Sequence, residues 1–146
     1  MDYEENVREP IAYITQRMNG DRSLHNDQYE YAHRLEKVEK ILASGIDPNV
    51  KDELGYTPLY YSVKYRDFDM CRLLVSNGAD PNTPSVDGMT PLMYAVADDS
   101  FLIAKFLLKR GGDPYIKDSF GVNSVNLAKV SHNRNIRGLL EGFYFE

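Results

Sequence analysis

The chain has 146 residues, 42% hydrophobic and 27% charged, a balance that predicts a folded domain or a short repeat array and argues against wholesale disorder. Its formal net charge is −5 and no basic stripe of the kind that tracks nucleic acid stands out, so a nucleic-acid partner is not expected. The one cysteine, Cys71, has no internal disulfide partner, no stretch nears the roughly 18 apolar residues of a membrane helix, and no signal-peptide pattern follows Met1. A soluble, cytoplasmic protein without membrane contact is the expectation.

In chain order, residues 4–18 read as an amphipathic helix with Val7, Ile11, Ile14 and Met18 on one face, begun or interrupted at Pro10. Asn19-Gly20-Asp21 is a turn signal, with a loop expected near 19–27. The next apolar periodicity, Val38, Ile41 and Leu42, closes at Gly45 and is followed by Asp47-Pro48-Asn49.

From there the chain repeats itself. Asp47-Pro48-Asn49 returns as Asp80-Pro81-Asn82 and as Asp113-Pro114-Tyr115, both steps being 33 residues (80 − 47 and 113 − 80). Gly45, Gly78 and Gly111 keep that step, as do Gly55, Gly88 and Gly121, while Thr57-Pro58-Leu59 recurs as Thr90-Pro91-Leu92. Thr followed by Pro is a helix N-cap and a first-turn proline. Ser62, Ala95 and Ala128 keep that helix small where a neighbour must approach, and Asp67, Ser100 and Asn133 are cap residues for a second helix. The second helix carries Leu73-Leu74, Phe106-Leu107 and Leu139-Leu140 and ends at a glycine suited to the left-handed C-cap. The pattern predicts helices near 57–65, 67–77, 90–98, 100–110, 124–131 and 133–141, with positive φ at Gly78 and Gly111.

A unit of helix, tight turn, helix and projecting turn at this period resembles the ankyrin repeat, over about residues 38–141. The resemblance implies an all-α solenoid of stacked helix-turn-helix units. Boundaries on that reading are a single domain over 1–146: a divergent helical cap at 1–28, a repeat stack at 29–141 and an aromatic tail at 142–146. The family's His after Thr-Pro-Leu is replaced by Tyr60, Met93 and Asn126, and its Gly between the helices by Arg66, Asp99 and His132. If those three keep positive φ, each costs on the order of 1 kcal/mol. The third unit has Asn123-Ser124-Val125 in place of Thr-Pro-Leu, as suits a terminal repeat.

Chemistry is hard to find in the sequence. His25 and His33 have no cysteine near them, and Cys71 takes a position held by Val38 and Ala104, that of a small core residue. Asp67 is explained as a cap, and Asp98-Asp99 fall where the family has an exposed turn. Lys105, Lys109 and Arg110 lie toward the C-terminal end of a second helix, where the helix dipole explains them, and Lys129, Arg134 and Arg137 form a looser group. No catalytic, metal or cofactor site is expected.

In proteins this chain resembles, contacts to partners come from the turn tips and the ends of the first helices. By position these are Glu53, Leu54 and Tyr56, then Val86, Asp87 and Met89, then Phe120, with Lys64, Tyr65 and Asp98 at helix ends alongside Ala97, Val130 and Ser131. Tyr56, Tyr65, Met89 and Phe120 would form an aromatic and apolar ridge with charged residues around it, the composition of a binding surface. The expected function is non-catalytic protein binding by a monomer. The first choice is an inhibitor or immunity-type protein that occludes a partner, for instance a basic toxin, an enzyme or a host signalling protein; the alternatives are an adaptor linking two proteins and, distantly, an enzyme. Gly142-Phe143-Tyr144-Phe145 is either a lid on the last helix pair or a docking peptide.

Overall fold

Each repeat opens its first helix by the same device. Thr57, in extended backbone (φ −88°, ψ 162°), accepts the Tyr60 amide on its hydroxyl at 3.2 Å, and Pro58 fills the first helical position, where no N–H is needed. Thr90 does the same for Met93 at 3.3 Å. Asn123 stands in for Thr with reciprocal bonds: the Asn126 amide donates to Asn123 Oδ1 at 2.9 Å, and the Asn123 amide to Asn126 Oδ1 at 3.0 Å.

The computed structural model describes residues 28–144. They form α1 (Gln28–Ala43), α2 (Pro58–Lys64), α3 (Phe68–Ser76), α4 (Pro91–Ala97), α5 (Phe101–Lys109), α6 (Ser124–Val130) and α7 (Arg134–Leu140), then a 3-10 turn (Glu141–Phe143), with no strand among the described residues. The six helices expected from the repeat are present with their ends trimmed. The expected helix at 4–18, the loop at 19–27, His25, and the tail residues Phe145 and Glu146 lie outside the described residues.

The helices stack in two rows, α2–α4–α6 in front and α3–α5–α7 behind, each first helix packing on its own second helix and on the first helix of the next unit. The front row is sandwiched: Pro58 through Val63 are all buried. The back row buries one stripe per helix, Met70, Cys71 and Leu74, then Ile103, Ala104 and Leu107, then Ile136 and Leu140. Ser62, Ala95 and Ala128 are fully enclosed, as close helix packing demands. Each large aliphatic group so enclosed contributes about 1.5–3 kcal/mol.

Gly78 and Gly111 have φ of +98° and +93°, as their C-cap role requires. Arg66 and Asp99 also sit at φ +55°, whereas His132 does not, because Ser131 leaves α6 in extended backbone (φ −65°, ψ 138°) and the third inter-helix turn takes another path.

One expectation needs correcting. Ser100 occupies the cap position of α5 but makes no cap bond, and its hydroxyl has no partner. Asp67 and Ser100 have ψ of 86° and 77°, away from the 162° of Thr57; from there the Asp67 carboxylate still reaches the Met70 amide with Oδ1 (3.1 Å), whereas the Ser100 hydroxyl, one bond shorter, makes no such bond. Upstream, α1 is continuous over Gln28–Ala43 and runs through Arg34, the position 33 residues before the Asp67 cap of α3. Arg34 instead donates its guanidinium to the Asp67 carboxylate at 2.9 Å, tying α1 to α3.

The outer side of the third unit is covered by its own tail. Phe143 meets Tyr115 edge-on at 6.0 Å, and the Tyr144 hydroxyl donates to the Arg137 carbonyl at 3.0 Å. Over residues 142–144 the tail is therefore a lid.

Candidate protein-binding surface

The projecting turns are stiffened from inside. In the first, the Asp52 amide donates to the Tyr56 carbonyl at 2.9 Å, and Asp52 Oδ1 accepts the amides of Leu54 (3.0 Å) and Tyr56 (2.9 Å). The Tyr61 hydroxyl donates to the other oxygen of the same carboxylate, anchoring the turn to α2. In the second turn Ser85 takes the place of Asp52 and pairs with the Tyr94 hydroxyl at 3.2 Å. In the third, Asp118 Oδ1 accepts the amides of Phe120 and Val122, both at 2.9 Å.

The turns also hold one another. A Cβ on Gly55 would stand 2.5 Å from Val86 Cγ2, so the valine packs into space that only glycine leaves open. Ser119 donates both its amide (3.1 Å) and its hydroxyl (2.8 Å) to the Asp87 carbonyl. Neighbouring tips are thus in direct contact and form one continuous edge.

On that edge Leu54, Val86 and Phe120 are 66%, 72% and 87% exposed. Glu53, Asp87 and Lys64 are exposed beside them, while Met89 and Asp98 are half-buried. Val130, at the end of α6, is 75% exposed and extends the apolar surface along the front row. Tyr56 and Tyr65 are only half-buried on that surface and also pack on the core. The Tyr56 ring stacks on Tyr60 at 4.0 Å, and Tyr60 in turn meets Tyr94 edge-on at 4.8 Å. The repeat therefore uses Tyr56 for its own packing, and of the four ridge residues Phe120 is the one left fully to solvent. Burial pushes the phenols of Tyr60 and Tyr61 above their ordinary value of 10, which keeps both as neutral hydrogen-bonding groups. The Lys64 ammonium lies 6.0 Å over the Tyr60 ring and 5.7 Å over that of Tyr65, giving the end of α2 a fixed positive charge.

Leu102 went unnoticed in the sequence. It is 64% exposed on the back row, at a position held by Asp69 and Asn135 in the other units, and one apolar residue in a polar column was the available signal.

The chemistry open to other residues is limited. Burial pushes the Cys71 thiol up to about 12, so it is no thiolate at neutral pH. His33 and His132 are exposed, and no three His, Cys, Asp or Glu side chains among the described residues gather as a metal-binding set. A recess of about 420 Å³ beside the lid is lined by Lys129, Arg134, Arg137, Glu141 and Tyr144. No helix among the described residues is long and apolar enough to cross a membrane.

The model of the family "Ankyrin repeats (3 copies)" matches residues 29–118, more than half of the chain. An ankyrin repeat-containing protein of Schizosaccharomyces pombe is 46% identical over 43 residues, which is 30% of this chain and 21% of that protein. The chain thus spans about a fifth of that relative. The matched residues stop before α6 and α7, yet these two helices keep the 33-residue step and the same pairing. Ankyrin repeats are generally protein–protein interaction modules and typically non-catalytic. By its period, its paired helices and its match to the family model, the chain belongs to the ankyrin repeat family.

Proposed function

We propose that this chain acts by stoichiometric binding: a protein partner seats on the edge of turn tips and the adjoining front-row helix ends, and the partner's working surface is occluded. The observation that supports this reading is the exposure of Leu54, Val86 and Phe120 on turns locked to one another. Large apolar side chains held on a rigid edge lose little conformational freedom on binding, so most of their burial appears as affinity. Glu53, Asp87 and Asp98 lie around them and suit a partner with a basic rim, such as a toxin, an enzyme or a signalling protein.

The test is calorimetry against a partner recovered from the native host, together with an assay of that partner's own activity. Phe120→Ala and Leu54→Ala should each weaken binding about tenfold or more, with unchanged thermal melts, and the intact chain should suppress the partner's activity. Tyr56→Ala should weaken binding and also lower stability, because its ring packs on Tyr60. Normal binding by both tip variants would sink the proposal.

A second reading, an adaptor joining two proteins, is favoured by Leu102, an exposed apolar group on the row facing away from the tips.

A further inference from the structure

Positive charge gathers on the back row in a way the linear sequence hides. The back-row helices carry Arg72, Lys105, Lys109, Arg134 and Arg137 against the single acid Asp69, and Arg110 caps α5, in a chain whose net charge is −5. The helix dipole accounts for Lys109 and Arg110, which end α5. It does not account for Arg72 or Lys105, which stand mid-helix.

On α5, Leu102, Lys105, Phe106 and Lys109 follow the i, i+3, i+4, i+7 spacing of one helix face. The Phe106 ring crosses over to meet Phe68 of α3 at 5.6 Å, edge to face. Arg72 lies 5.8 Å over Phe68 and Arg110 lies 5.3 Å over Phe106, so a guanidinium flanks each end of the ring pair. Among the described residues no carboxylate lies within ion-pair distance of Arg72, Lys105, Lys109 or Arg110. The result is an apolar strip of Leu102, Phe106 and Phe68 edged by four cations.

We propose that this back-row strip is a second docking surface, and that it takes an acidic amphipathic helix of another protein. Apolar side chains of such a helix would cover Leu102 and the ring pair, and its Asp and Glu residues would face the four cations. The pattern is complementary in both respects, and a front of two adjacent helices offers the groove that a third helix fills. Single-stranded nucleic acid fits less well. It binds by stacking bases on aromatic faces, whereas the most exposed apolar group of this strip is Leu102, an aliphatic side chain that neither stacks a base nor contacts phosphate. The surface is separate from the turn tips and does not depend on their role.

The experiment uses the full chain, isotopically labelled, and a synthetic helical peptide with Leu and Glu on alternate faces as probe. A scrambled peptide of the same composition, oligothymidylate and phosphatidylserine vesicles serve as comparisons. The expected result is amide shifts confined to 68–76 and 101–110 with the helical peptide, and weaker binding by the other three. Raising salt to about 0.3 M should weaken the complex severalfold. Leu102→Ser and the Lys105→Glu/Lys109→Glu pair should each reduce affinity about tenfold with melts unchanged, while Phe120→Ser on the tips leaves it intact. Shifts on the turn tips, equal binding of the scrambled peptide, preference for oligothymidylate or vesicles, or no shifts at millimolar peptide would each overturn the assignment. Failure here leaves the tip-binding reading standing, because that reading is tested separately by Phe120→Ala and Leu54→Ala against the natural partner.

Discussion

Asn49 Oδ1 accepts the backbone amide of Asp80 at 2.6 Å, a bond from one repeat to the next. The same side chain donates from Nδ2 to the Gly78 carbonyl at 3.1 Å, so one amide closes both ends of the turn that follows α3. Asn82 repeats this one unit on, accepting from Asp113 at 2.7 Å and donating to Gly111 at 2.9 Å. Removing a donor and an acceptor at an exposed site costs about 1 kcal/mol for each asparagine. Asn49→Ala and Asn82→Ala should each lower the unfolding free energy from urea titration by that amount, and the pair should nearly add, since the two side chains bond different groups, although both sites touch Asp80. Asn49→Asp should be no better than Ala, because it keeps the acceptor but turns a carboxylate oxygen toward the Gly78 carbonyl.

Gly55 and Gly121 provide a matched pair. Both have positive φ, +82° and +77°, but a Cβ at Gly121 meets nothing within 4 Å whereas one at Gly55 runs into Val86. Gly121→Ala should cost about 1 kcal/mol of backbone strain. Gly55→Ala should cost more, and adding Val86→Ala should return the excess. Equal costs for the two glycines in thermal melts would show that the tips do not press on one another.

Arg66 and Asp99 adopt a conformation that glycine holds without strain. Arg66→Gly should raise stability by about 0.5–1 kcal/mol, offset in part by loss of the 2.7 Å bond from Arg66 to the Asp98 carbonyl. Asp99→Gly should gain less. Aspartate tolerates the left-handed region better than arginine does, and Asp99 accepts the Ser131 hydroxyl at 2.9 Å. Chemical denaturation of both variants checks the order.

Stability should fall on the alkaline side. The folded chain holds the Cys71 proton up to about pH 12, against an ordinary value of 9, and burial raises Tyr60, Tyr61 and Tyr94 in the same direction. A group whose pKa is raised on folding gives its full contribution below the unfolded pKa and loses it as pH climbs toward the folded one. The urea midpoint should therefore be flat up to about pH 8.5 and decline from about 9 to 12. Cys71→Ala should make the first part of that decline shallower, and an unchanged profile would mean that the thiol is not shielded.

Much of this fold could be read from the spacing of a few residues. Thr-Pro at helix starts, glycine at helix ends and the Asp-Pro-Asn turn act locally, so a 33-residue step in sequence becomes a step in space. The parts that escaped depend on which rows face each other. Arg72 and Arg110 are 38 residues apart in sequence (110 − 72) and look unremarkable there; only the stacking of α3 on α5 gathers them around the Phe68–Phe106 pair. The position of Tyr56 predicts an exposed anchor, yet its ring lies back on Tyr60, a contact made possible by tyrosine standing where the family has histidine. The continuity of α1 through Arg34 was equally hidden, because no helix-breaking residue marks or denies a turn there.

The exchange of Asn for Tyr115 governs how such an array could grow. Asn49 and Asn82 each reach forward into a following unit, whereas Tyr115 turns its hydroxyl to the Phe143 carbonyl at 3.3 Å. A duplicate of residues 79–111 placed beside the original would bring its own forward-reaching asparagine and find the bonds of Asn82 repeated. A copy of the third unit in that place would arrive with its forward link spent on its own tail, and would need an asparagine at that position and the loss of the lid before another repeat could dock. The forward link is thus written into the middle of the stack, and in the third unit Tyr115 spends it on Phe143.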